Sequence, residues 1–112
     1  MRNEILELSF EFALDIIAYA ELLEEKRKFV LANQILKSGT SIGANVREAQ
    51  NCESNADFTH KFKIAAKEAD ETEYWLLLCE KSPNYPFNPE LKTKILSIKK
   101  LLSSIISKMK SK

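Results

Sequence analysis

Apolar residues recur along this chain at steps of three and four, the spacing that gathers them on one face of an α-helix. The pattern breaks three times and predicts four helices, at about 3–24, 29–52, 55–81 and 89–110. In the first, Glu4, Glu7, Glu11 and Asp15 form one narrow charged stripe, and most of the remaining circumference is apolar. That arc is wider than the ~100° stripe a single core needs. A helix apolar on so many sides is buried on two faces. In a domain this small the second face meets another subunit or a ligand, and a second copy is the first expectation. Leu6, Phe10, Ala13, Ile17 and Ala20 are the candidate interface residues.

The second segment carries Ile35, Gly39, Ile42, Val46 and Ala49 at alternating steps of four and three. Ser54 reads as an N-cap with Asp57 three residues on. The third helix then runs through Phe58, Phe62, Ala65, Ala69, Thr72, Leu76 and Cys79. Pro83 and Pro86 forbid its continuation. Asn88 followed by Pro89 starts the fourth, whose seam is Leu91, Ile95, Ile98, Leu102, Ile105 and Met109. Short joints make sequential helices antiparallel neighbours. The expected fold is all-α, an up-and-down antiparallel four-helix bundle forming one domain over 1–112.

Composition agrees. With 112 residues, 45% hydrophobic, two Gly and three Pro, the chain suits one helical domain and lacks the turn residues of an all-β fold. Two cysteines and a single His60 make no metal motif. The most apolar run, Ala13 to Leu23, is interrupted by Asp15 and Glu21, so a membrane span is not expected. No signal peptide is visible and a cytoplasmic location with free thiols is expected. The formal net charge is +1, but its distribution is uneven. Residues 1–25 hold seven acids and one base, while 91–112 hold seven lysines and no acid. Lys92, Lys94, Lys99, Lys100, Lys108 and Lys110 are therefore candidate phosphate contacts for a nucleic acid. The alternative is that the fourth helix lies beside the first and the two neutralise each other.

The stretch Ser38-Gly39-Thr40-Ser41-Ile42-Gly43-Ala44-Asn45 is unusual. Glycine costs about 1 kcal/mol against alanine inside a helix, so two of them need a reason. The G-x-x-x-G spacing suggests close backbone approach. A hairpin turning near residue 53 would bring Gly39 opposite Ala69, and Gly43 opposite the Ala65 region, so a close crossing of the second and third helices is expected. A phosphate-cradling loop would need a preceding strand and a following Lys, and the stretch has neither. Thr72 sits at a core position, and with Asn45 and Glu48 it is a candidate for a buried polar cluster. The carboxylates around 68–80 read as an outer charged face. Tyr19, Tyr74 and Trp75 read either as interface anchors or, for Trp75, as a cap on the open end of the bundle. No nucleophile–base pair or metal set can be assembled, so an enzyme is not expected and no cofactor is implied.

The segments 38–45, Arg47-Glu48-Ala49, Asp57-Phe58, Lys63-Ile64-Ala65, Lys67-Glu68-Ala69 and Glu71-Thr72-Glu73-Tyr74-Trp75-Leu76 together resemble the bacterial four-helix-bundle proteins labelled 23S rRNA intervening-sequence proteins or a ribosomal-protein family. The resemblance is close over 28–80 and extends to the outer helices in pattern and length. It implies a bundle assembling into a homopentameric ring. It also implies a relation to accessory proteins of diversity-generating retroelements, which form similar basic barrels and bind RNA and a reverse transcriptase. It carries over no catalytic residue. The functional expectation is a non-enzymatic homo-oligomer that binds RNA or a nucleic-acid-associated protein. The alternative is a protein-interaction scaffold with no nucleic-acid role.

Overall fold

The computed structural model describes residues 3–110. It has four helices: α1 (Glu4–Glu25), α2 (Phe29–Ala49), α3 (Asn55–Lys81) and α4 (Pro89–Lys110). Each starts or stops for a local reason. The Asn3 side chain accepts from Leu6 N at 3.2 Å, and that of Ser54 accepts from Asp57 N at 3.1 Å, as its sequence predicted. Asn88 accepts from Glu90 N at 3.0 Å, with Pro89 in the first helical position. The end of α1 has no glycine, yet it closes in a glycine-type cap. Lys28 N donates to Leu23 O and Arg27 N to Glu24 O, with Arg27 in the left-handed region at φ 64°. Helix α2 stops three residues before the expected 52. The amides of Gln50, Asn51 and Cys52 bond three residues back instead of four, so its last turn tightens and ends.

Side-chain and close-packing pairs give the topology. Ser9 meets Gly43 and Ile16 meets Gly39, so α1 and α2 run antiparallel. Ser38 pairs with Thr72 and Glu48 with Lys61, and Glu73 and Glu80 pair with Lys99 and Lys92. The helices occupy the corners of a square in the order α1, α2, α3, α4, without diagonal packing, and the α1–α4 edge is the loosest. The particle measures 48 × 24 × 20 Å. The predicted seams form the core: Ile35, Ile42, Val46, Phe62, Leu76, Leu91, Ile95, Ile98 and Leu102 are all buried, with Phe12, Ile16 and Leu23 from α1.

The glycines are used differently from the expectation. A Cβ on Gly39 would lie 2.8 Å from Ile16 Cγ2, and one on Gly43 would lie 3.2 Å from the Ser9 carbonyl oxygen. The glycines therefore face α1 and not α3. Ala65 and Ala69 are buried, but they are not the glycines' partners. The hairpin register was nearly right, since Ser38 does face Thr72. The face was wrong by one residue's rotation, about 100°. Ser38 turns to α3, and its neighbour Gly39 turns to α1. The same approach accounts for Ala20, which is buried in the core and is not an interface residue. It follows Ile16 by one turn and lies on the arc that α2 covers.

Only Thr72 of the expected polar cluster is buried. Its hydroxyl lies 2.8 Å from that of Ser38 and donates to the Glu68 carbonyl. Asn45 is half-buried and donates within its own helix to Ser41 O. Glu48 is exposed and pairs with Lys61 at 2.7 Å. These two lie far enough round α2 to reach solvent. The other buried hydroxyls are Ser38, which bonds Thr72, and Ser9 on α1, which donates to Leu6 O within its own helix.

Gly39→Ala tests the seam. It gains about 1 kcal/mol of helix propensity but drives a methyl into a fully buried, β-branched Ile16, an overpacking cost of ~1–3 kcal/mol. A lowered urea midpoint is expected, and the loss should disappear when Gly39→Ala is made in an Ile16→Ala background, which removes both γ carbons that the new methyl meets.

Candidate interaction surfaces

Two edges of the square carry exposed apolar side chains. On the α1–α2 edge, Phe10 is 53% exposed, Ile17 41% and Leu36 37%. Leu6 and Ala13 are half-buried beside them. Leu6, Phe10 and Ala13 line a cleft of about 160 Å³ with Thr40, Gly43 and Arg47. The missing Cβ of Gly43 helps to form it. Ile17 continues the α1 stripe one turn beyond Ala13, and Leu36 continues that of α2 one turn beyond Thr40. Four of the five expected interface residues thus share one face, and Ala20 does not. Sequence reading missed Leu36 and Arg47, whose helix was read for its core seam, its glycines and its buried polar candidates.

On the opposite, α3–α4 edge, Tyr74 is 55% exposed, with Leu77 and Leu96 nearby on the same side. Tyr74 and Leu77 line a second cleft of about 200 Å³ with Asp70, Lys92 and Ile95. Helix α3's acids are not merely a solvated face. Asp70, at 2.9 Å, and Glu73 both hold Lys99, and Glu80 holds Lys92 at 3.0 Å. Lys94 pairs with Asp15 across the loose edge. The α4 lysines are therefore divided. The expected neutralisation by α1 involves Lys94, whereas Lys92 and Lys99 turn to α3. The ammonium pKa of Lys99 is raised by its hydrogen bonds to Glu73 and then Asp70, and that of Lys94 by its bond to Asp15. Lys100, midway along α4, and Lys108 and Lys110, in its last turn, are exposed.

The three large aromatics separate cleanly. Tyr19 is core, and its hydroxyl donates to the Pro86 carbonyl at 2.6 Å, tying the α3–α4 loop to α1. Trp75 is half-buried against the core, with an indole N–H lacking an acceptor among the described residues. Tyr74 alone projects outward. Cys79 is buried, and burial pushes its thiol pKa up, against a lowering from its hydrogen bond with Tyr19. Among the described residues, no three His, Cys, Asp or Glu side chains are placed to hold a metal, and no helix is long and apolar enough to cross a membrane.

An antiparallel four-helix bundle with two apolar surface patches and a set of cross-helix ion pairs is the class of protein these features define. The chain belongs to the 23S rRNA-intervening sequence protein family, whose profile matches residues 1–105. A solved relative is a protein of unknown function from the S23 ribosomal protein family of Bacteroides thetaiotaomicron. It is 47% identical, with a TM-score of 0.82 over 91% of this chain and 97% of that one. No curated protein matches significantly.

The buried phenol sets a pH dependence. Burial, then the bond with Cys79, raises the Tyr19 pKa far above its ordinary 10.0. The unfolded chain therefore loses this proton first, and stability falls as pH rises past about 10. The raised Lys94 and Lys99 act in the same direction, weakly because both are partly exposed. Thermal midpoints are expected to decline above pH 10. Absorbance titration should show one of the three tyrosines ionising only as the helices melt.

Proposed function

We propose that the protein is a non-catalytic, cytoplasmic helical bundle that works as a homo-oligomer, with the α1–α2 face as a contact between copies. The observation that carries this reading is the row Phe10, Ile17 and Leu36, exposed on a face whose floor is already closed by the glycine seam. These side chains add nothing to the monomer core, and covering them recovers roughly 25 cal/mol per Å² of apolar surface. Sedimentation at micromolar concentration is expected to show a species larger than the monomer. Phe10→Glu and Ile17→Glu should shift it to monomer while leaving far-UV circular dichroism unchanged. A wild-type monomer at every concentration would overturn the reading, and loss of helicity in both variants would return those residues to the core.

A second reading, RNA binding by the assembled protein or by a nucleic-acid-associated partner it recruits, is supported by exposed Lys100 and Lys110 and by the family's description. The ion pairs of Lys92, Lys94 and Lys99 weigh against those three as phosphate contacts. Repeated around an oligomer, the exposed lysines would give weakly sequence-specific, salt-sensitive binding. Filter retention of a structured RNA should fall steeply from low to moderate salt, and Lys100→Glu with Lys110→Glu should weaken it further. Absence of retention at low salt would leave the scaffold reading alone.

A further inference from the structure

A third apolar patch lies at one end of the bundle instead of on an edge. Val30 is 76% exposed, more than any other large apolar side chain among the described residues, and Phe29 beside it is 54% exposed. Helical side chains lean toward the N-terminus of their own helix. These two are the first residues of α2, so they lean out over the end of the bundle. They directly follow Lys26, Arg27 and Lys28, of which Lys26 and Arg27 are exposed. We propose that this end docks on an anionic lipid bilayer. Phe29 and Val30 enter the interface, and the basic turn meets the headgroups. The proposal does not depend on self-association.

The turn is held in shape from several sides. The left-handed cap at Arg27 closes α1 onto it, and the Lys28 ammonium sits 4.9 Å over the Tyr85 ring. The Tyr19 hydroxyl holds the neighbouring Pro86 carbonyl. Tyr85, Pro86 and Phe87 are half-buried at this end, and residues 82–89 carry no charge. Charge complementarity identifies the occupant. From residue 26 to residue 47 the bases are Lys26, Arg27, Lys28, Lys37 and Arg47, and there is no acid. At the end itself Lys26, Arg27, Lys28 and Lys81 stand against Glu24, Glu25 and Glu90, a narrowly positive balance. The opposite end differs, because residues 50–54 join α2 to α3 with Glu53 and no large apolar side chain. Neither cleft described above includes residues 26–30. The patch is thus a projection, without a pocket for the side chain of a protein partner. A projecting apolar pair beside bases fits a deformable, negatively charged plane, where depth of entry matters and shape does not. At the end of a particle 48 Å long it meets such a plane with the rest of the bundle standing clear.

Co-sedimentation with vesicles tests it, using phosphatidylcholine alone and phosphatidylcholine mixed with phosphatidylglycerol. At low salt the protein should pellet with the anionic vesicles and not with the neutral ones, and moderate salt should weaken the binding. Phe29→Ser combined with Val30→Ser should lower the affinity about 30-fold or more, since the two apolar side chains are what leaves water. Lys26→Glu combined with Arg27→Glu should lower it about tenfold or more at low salt, and less at high salt. Far-UV circular dichroism should be unchanged in both chains. If the serine pair loses helicity, Val30→Asp alone takes its place. A Phe29→Trp chain reads insertion directly. Its added emission should shift to the blue and be quenched by brominated lipid, above the background of half-buried Trp75. A wild-type chain left in the supernatant by anionic vesicles at low salt would overturn the proposal. Undiminished binding of the Phe29→Ser, Val30→Ser chain would also refute it, by moving the lipid contact elsewhere on the bundle. An unquenched Phe29→Trp signal would do the same, by reducing the contact to surface adsorption.

Discussion

The bundle depends on how closely α1 can approach α2. Two glycines one turn apart leave no side chain between the helices, so Ile16 and the Ser9 backbone rest directly on α2. That proximity decides the rest of α1. Its inner arc, including Ala20, is drawn into the core, and its outer arc is turned to solvent. The helix that looked too apolar for one monomer is therefore divided between two tasks by the absence of two Cβ atoms. The same approach forms the floor of the α1–α2 cleft.

The other edges use different chemistry. Between α2 and α3, buried hydroxyls replace glycine: Ser38 and Thr72 satisfy each other inside the core. The pair favours one register, because a slip would take from the Ser38 hydroxyl its Thr72 partner, a loss of roughly 1–3 kcal/mol if it is left unsatisfied, while Thr72 keeps the Glu68 carbonyl. Between α3 and α4, ion pairs at the rim align the helices, with Lys99 between two carboxylates and Lys92 on a third. Partly exposed pairs of this kind add little stability, so their main effect is alignment. They also occupy charges that would otherwise face a polyanion.

Much of this was legible in sequence, for physical reasons. The heptad seams, the Ser54 cap and the Asn88-Pro89 start are local signals, and local signals survive folding. The α1–α2 boundary fell within a residue of its predicted place although it has no Gly or Pro, and Arg27 fills the left-handed position usually given to glycine. What sequence could not supply was rotation about a helix axis. Ser38 and Gly39 are adjacent, yet they serve different neighbours, and no spacing rule says which of two flanking helices takes which. The glycines were therefore given to α3, and Asn45 and Glu48 were placed in a polar cluster formed instead by Ser38 and Thr72. Leu36 was missed for the same reason, and Tyr74 could not be told from Tyr19 and Trp75, since exposure depends on where the other helices stand.

The loose α1–α4 edge bears on how the chain folds. Three of the four edges join helices consecutive in sequence, so most native contacts are short-range and the contact order is low, the regime of fast folding. Closing the square is the one step that brings chain ends together. Few groups mark it: Lys94 on Asp15, and the Tyr19 phenol on the Pro86 carbonyl, 67 residues apart. The α4 helix, tied firmly on one side only, is thus the natural unit of partial opening, the segment whose amides exchange with solvent ahead of the α1–α2–α3 body.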